Sequence, residues 1–123
     1  MSKNVLIIDD SMYMRTLISN ALIENNYNVV GMAADGETAI EMSLELEPDV
    51  ITLDNVLPDM LGLDILKVLK EENIKSIIVM VSAVGQQSVV DEGMALGASD
   101  YIVKPFTTDE LVEKVNNACN NNQ

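Results

Sequence analysis

At 123 residues the chain holds one domain's worth of sequence, able to bury roughly two thirds of its unfolded surface in one core. Its longest apolar run, Ile77 to Val81, is too short to cross a bilayer, and "MSKNV" lacks the basic segment and apolar stretch of a secretory signal, so a cytoplasmic protein without a membrane partner is expected. Seven basic against twenty acidic residues give a formal charge of −13, which disfavours nucleic acid and anionic lipid and suits divalent cations or basic protein surfaces.

The first predicted strand, Asn4 to Ile8, is apolar on both faces and runs straight into two adjacent acids, Asp9 and Asp10. A stretch of helical period follows from Tyr13 to Asn25. The second strand, Asn28 to Met32, leads into "MAADG" and offers no obvious functional side chain. In the second helix, Glu37 to Glu47, the residues Ala39, Ile40, Met42, Ser43, Leu44 and Leu46 form an apolar stripe, with Glu41, Glu45 and Glu47 left to water. The third strand, Val50 to Leu53, is followed by Asp54. A helix is predicted from Gly62 to Glu72, then a fourth strand from Ile77 to Val81, followed by Ser82.

The fourth helix, Ser88 to Leu96, should end on Gly97 in the left-handed conformation. A fifth strand from Asp100 to Val103 is followed by Lys104. The last helix, Asp109 to Cys119, can be capped by Thr107 or Thr108, and the tail "NNACNNNQ" is expected to fray. Cys119 is the only cysteine, so no internal disulfide can form, and its expected role is that of a small packed hydrophobe. The eight methionines are likewise expected to fill the core.

Short β-branched runs alternating with longer helical stretches predict an α/β fold, a parallel sheet joined by crossover helices. In such sheets ligands bind outside the carboxyl ends of the strands. Asp9, Asp10, Asp54, Ser82 and Lys104 would then share one rim, with the second strand outside the crevice. Three converging carboxylates repel one another, and a cation resolves the repulsion. With no histidine and one cysteine, a hard ion with oxygen ligands such as Mg²⁺ is indicated. An acid pair after a strand can also be a plain helix cap; acids, a hydroxyl and a lysine on four strand ends are instead the parts of an aspartyl-phosphate site.

"VLIIDDS", "DVITLDNVLPDMLG", "VMVSA" and "GASDYIVKPF" together resemble the signature blocks of the response-regulator receiver domain, in order and across the whole chain. The lack of an output domain, with "DDSMYMRTLI" and "SAVGQQSVVDEGMALGA", makes it similar to the stand-alone chemotaxis form. The resemblance implies a single domain over residues 1–123, doubly wound and flavodoxin-like, (βα)5, and it is the resemblance, not any spacing, that implies the strand order 2-1-3-4-5.

It further implies that Asp54 takes a phosphoryl group from a chemotaxis histidine kinase. Mg²⁺ would be held by Asp10, by Asp9 mainly through water, by Asp54 and by the carbonyl of Val56. Lys104 would neutralise phosphoryl oxygens, and Ser82 would bond to one and move, letting Tyr101 turn inward as the switch. The protein would then be a phosphoacceptor that assists its own phosphorylation rather than an enzyme, a monomer signalling to a motor switch or motor adaptor protein with a basic docking surface. A cis Lys104–Pro105 bond is implied as well.

Two departures from the family pattern stand out. Leu61 occupies a place where the family usually has Asp or Asn. Val56 and Val84 flank the path of the hydrolytic water, so self-dephosphorylation should be slow and a phosphatase becomes a candidate partner. A phosphorelay intermediate, or a receiver of a non-chemotaxis pathway, would use the same site residues. A flavodoxin-like electron carrier is disfavoured, because the first strand lacks a phosphate-binding loop and its acids would repel a flavin phosphate.

Overall fold

Strands and helices alternate along the chain as β1 (Asn4–Ile8), α1 (Met12–Glu24), β2 (Asn28–Ala33), α2 (Gly36–Leu46), β3 (Val50–Asp54), α3 (Gly62–Glu71), β4 (Ile77–Ala83), α4 (Gln87–Ala95), β5 (Asp100–Lys104) and α5 (Thr108–Asn121). The computed structural model describes residues 2–121. All five strands are parallel and ordered β2-β1-β3-β4-β5. The chain moves outward from β1 to β2 and then returns to the other side of β1, so the crevice opens between β1 and β3.

Alternation along the central strands sends side chains to two separate cores. Val5, Ile7, Val79 and Val81 face Ile18 and Leu22 of α1 and Leu111 and Val115 of α5. Leu6, Ile8, Ile51, Leu53, Ile78 and Met80 face Ala39 of α2 and Ile65, Leu66 and Leu69 of α3. This doubly covered sheet explains why the central runs carry apolar residues on both faces. Cys119 is buried against the α1 side as expected. Among the described residues no helix is long and apolar enough to cross a membrane.

Several helix ends follow local chemistry. Ser11 Oγ accepts from Met14 N, Asp35 Oδ1 accepts from Thr38 N, and Gly97 takes φ 111° after α4. Thr107, not Thr108, caps α5, in a reciprocal pair with Glu110 that satisfies both backbone N–H groups. The Lys104–Pro105 bond is cis.

The structure corrects other expectations. Asp54 and Lys104 are the last residues of β3 and β5, and Ser82 lies inside β4, because the ladder continues through the pairs Asp54–Val81, Ser82–Val103 and Ala83–Lys104. These three side chains therefore stand on hydrogen-bonded strand rather than just beyond it. The tail is helical as far as Asn121, held by buried Ala118 and Cys119 and by the Tyr27 hydroxyl donating to Asn116 Oδ1; residues 122 and 123 lie outside the described region.

Methionine is not uniformly core. Met80 is buried, Met14, Met42 and Met60 pack at core margins, and Met12, Met32 and Met94 are exposed, while Met1 lies outside the described residues. Leu44 is also exposed, since α2 turns only Ala39 and Ser43 fully inward along this stretch.

Candidate functional site

Each acid of the crevice is placed by its own strand. β1 carries Asp9 and Asp10 to its carboxyl end, and β3 ends on Asp54 beside it. One oxygen from each of Asp9, Asp10 and Asp54 lies within 4.8 Å of the others. Asp9 is only 1% exposed and Asp54 7%, whereas Asp10 faces solvent. Asp9 Oδ1 accepts from Ser11 N at 2.9 Å, and Arg15 Nη1 donates to the Asp9 carbonyl at 2.8 Å, so the turn after β1 is tied from both sides.

Lys104 is shared. Its Nζ stands 3.5 Å from Asp9 Oδ2 and 3.5 Å from Asp54 Oδ1. One ammonium cannot offset two nearly buried carboxylates, and the Asp54 carboxyl is held above its ordinary value of 3.8, first by burial and then by the charge of Asp9, against the opposing effects of Lys104 and the Asn55 N–H.

The raised Asp54 value bears on folding stability. The folded-state value lies above the unfolded one, so the native protein holds the extra proton; the stability linked to Asp54 is present below pH 3.8 and lost as the pH rises through the raised value. Asp54→Asn should therefore stabilise the metal-free protein at pH 7 and flatten its pH dependence. Urea unfolding in chelator from pH 4 to pH 7 measures this; a variant less stable than the parent at pH 7 would contradict it.

The donor set fits a hard divalent cation. It offers three carboxylates, the chain has no imidazole, and one buried oxygen, Asp9 Oδ2, has the Lys104 ammonium 3.5 Å away but accepts no hydrogen bond. The side chains able to hold such a cation are Asp9, Asp10 and Asp54.

Ser82, in β4 next to β3, is 1% exposed, and its hydroxyl makes one long bond, to the Ala83 carbonyl at 3.4 Å. A hydroxyl so weakly engaged is free to be recruited by a better acceptor. Tyr101 lies apart from the acids. It pairs with Met80 in the ladder, half-buried on the face of the sheet that carries Met80. Lys114 Nζ sits 5.5 Å from its ring centroid and 3.6 Å from Asp100 Oδ1.

The β3–α3 connection is pinned from outside the crevice. The Asp59 carboxylate accepts from Gly36 N at 2.7 Å and Glu37 N at 3.1 Å, and the Gly36 bond foremost holds its pKa below the ordinary range. Leu61 is exposed and occupies the N-cap of α3, where its side chain cannot cap, which settles it as surface. Val56, on the same connection, is 53% exposed and Val84, after β4, 74%.

Sequence reasoning did not find Arg15, Asp59 or the exposed pair Met12 and Tyr13 at the start of α1. The stripe Met14, Ile18, Leu22 was the available signal: four-residue spacing turns Met12 and Tyr13 away from the core.

Residues 5–116 match the family model described as the response regulator receiver domain. The chain is 40% identical over 120 residues to the chemotaxis protein CheY of Bacillus subtilis (strain 168), covering 98% of this chain and 100% of that protein. The response regulator domain of Thermotoga maritima CheB superposes with a TM-score of 0.88 at 32% identity, covering 98% of each chain. A CheX–CheY–BeF3–Mg+2 complex from Borrelia burgdorferi matches with a TM-score of 0.88 at 30% identity, covering 92% of this chain and 86% of that one. With its acids gathered at the switch point of a 2-1-3-4-5 sheet, the chain belongs to the response-regulator receiver domain family, the phosphoacceptor switches of two-component signalling.

Proposed function

We propose that Asp54 accepts a phosphoryl group from the phosphohistidine of a cytoplasmic chemotaxis histidine kinase, and that the protein then signals to a motor switch or motor adaptor protein. The observation that carries the acceptor assignment is the Asp54 carboxylate itself: nearly buried at the end of a central strand, gathered with two other acids and 3.5 Å from Lys104. A carboxylate oxygen of Asp54 forms the new bond to phosphorus, the bond from phosphorus to the imidazole nitrogen breaks, and its electron pair returns to that nitrogen. Lys104 offsets charge on the phosphoryl oxygens, and Ser82 donates its hydroxyl to one of them. Mg²⁺, when bound, supplies further charge neutralisation; Asp9, Asp10, Asp54 and the Val56 carbonyl would hold it.

The chain is in this reading a switch that assists its own phosphorylation. Ser82 stands two residues beyond Met80, on the same face of β4, and Tyr101 pairs with Met80, so movement of Ser82 is felt where the Tyr101 ring turns. Labelling with a small-molecule phosphodonor tests the acceptor. Asp54→Asn should remove all label, and chelator should stop labelling of the parent chain; label persisting on the variant would overturn the assignment.

The reporting surface is acidic. Asp91, Glu92, Asp109, Glu110 and Glu113 are exposed on α4 and α5, and the nearby base, Lys114, is already paired with Asp100. A target with a basic docking surface is the complement, and opposite potentials act mainly on the association rate. Raising ionic strength until the Debye length falls from about 10 Å toward about 3 Å should slow association of the phosphorylated protein strongly. A flat rate over that range would reduce the acids to a solubility role.

A further inference from the structure

The residue after Asp54 is tied to one that lies outside the acidic cluster. Asn55 is 4% exposed, and its main chain is used twice, its N donating to the Val81 carbonyl at 3.1 Å and its carbonyl accepting from Gly62 N at 2.7 Å. Its side chain reaches the other way: Nδ2 donates to Gln86 Oε1 at 2.8 Å, while Oδ1, also buried, has no partner. Asn55 is thus buried with one side-chain bond, and that bond leads to the half-buried Gln86.

Gln86 stands four residues past Ser82 and is the only residue of Ala83, Val84, Gly85 and Gln86 with a polar side chain. Val84 and Gly85 are exposed, and a Cβ added to Gly85 would meet nothing within 4 Å, so this connection has little packing of its own. Gln86 also holds the N-cap position of α4 without a side-chain capping bond, its amide being committed to Asn55.

We propose that Gln86 is a positioning residue for the switch: its bond to Asn55 holds the connection between β4 and α4 in the resting arrangement, and the bond breaks when Ser82 is drawn to an oxyanion on Asp54. The inference rests on the reading of Asp54 as phosphoacceptor. Asn55 is fixed to the strand beside the acceptor, Gln86 leads the helix that follows Ser82, and the single bond between them is made in one arrangement and lost in the other. Removing it lowers the cost of leaving the resting state, so a ligand of the active state binds more tightly.

Beryllofluoride with Mg²⁺, titrated against the full chain, reads that cost. Gln86→Met, which keeps the side-chain length and removes the acceptor, should bind beryllofluoride roughly three- to tenfold more tightly than the parent chain, with affinity for Mg²⁺ alone unchanged. Gln86→Glu retains an oxygen for the Asn55 amide, and its beryllofluoride affinity, taken relative to its Mg²⁺ affinity, should return to that of the parent. Unchanged or weaker binding by Gln86→Met, or equal tightening in both variants, overturns the proposal. If the parent chain binds no beryllofluoride at all, the acceptor reading fails and this inference falls with it, a result distinct from either.

Discussion

Gly62→Ala should cost about 2–3 kcal/mol and lower Tm by roughly 10 °C, although alanine favours a helix more than glycine does. A Cβ at Gly62 would stand 2.6 Å from the Asp54 carbonyl oxygen and 3.0 Å from Asn55 Cα. Both are main-chain atoms of the segment that presents the acceptor, held by the ladder to β4 and by Asn55 N donating to the Val81 carbonyl. Neither can step aside, so the start of α3 must move away, straining the bond from Gly62 N to the Asn55 carbonyl. Gly85→Ala is the control. Its φ of 89° strains an alanine, yet nothing lies within 4 Å of the added carbon, so only the conformational cost of about 1 kcal/mol is expected. Urea unfolding of both variants measures the difference, and equal losses would refute the steric explanation.

The acyl phosphate should be long-lived, and Val56→Asn with Val84→Glu should shorten its life by about tenfold or more. Val56 and Val84 are exposed on the connections that follow β3 and β4, with no polar side-chain atom to offer an incoming water. Water has free access there and no orientation, the less productive half of what hydrolysis requires. The loss of label after the phosphodonor is removed gives the rate directly. Fast decay in the parent chain, or decay unaltered by the two substitutions, would mean that another group aligns the water. A slow intrinsic rate also gives a phosphatase something to accelerate.

The strands, the helices and the acidic rim were legible because each signal acts within a few residues. "VLII" and "IIVMV" alternate across a sheet covered on both faces, and the core divides them as that alternation requires, Val5 and Ile7 to one side and Leu6 and Ile8 to the other. Gly97 marks a helix end through local φ, so the sequence located it, and local capping bonds narrowed the start of α5 to Thr107 or Thr108 before packing chose Thr107. Asp9, Asp10, Asp54 and Lys104 were legible as a group because strands in a parallel sheet all end on one side.

Strand order was not legible in the spacing, since nothing within a βα unit says on which edge the next strand will pair; it came with the family resemblance. The contacts that tune the site join residues far apart in sequence. Asp59 reaches the start of α2, Asn55 reaches Gln86, and Lys114 lies over Tyr101. Exposure of Met12 and Leu44, burial of Ala118 and Cys119 near the end of α5, and the continuation of β3 and β5 through Asp54 and Lys104 were likewise set by which surfaces met. Periodicity and capping are properties of one element, whereas these depend on the distance and angle at which separate elements pack, which only the assembled sheet and its two helical layers define.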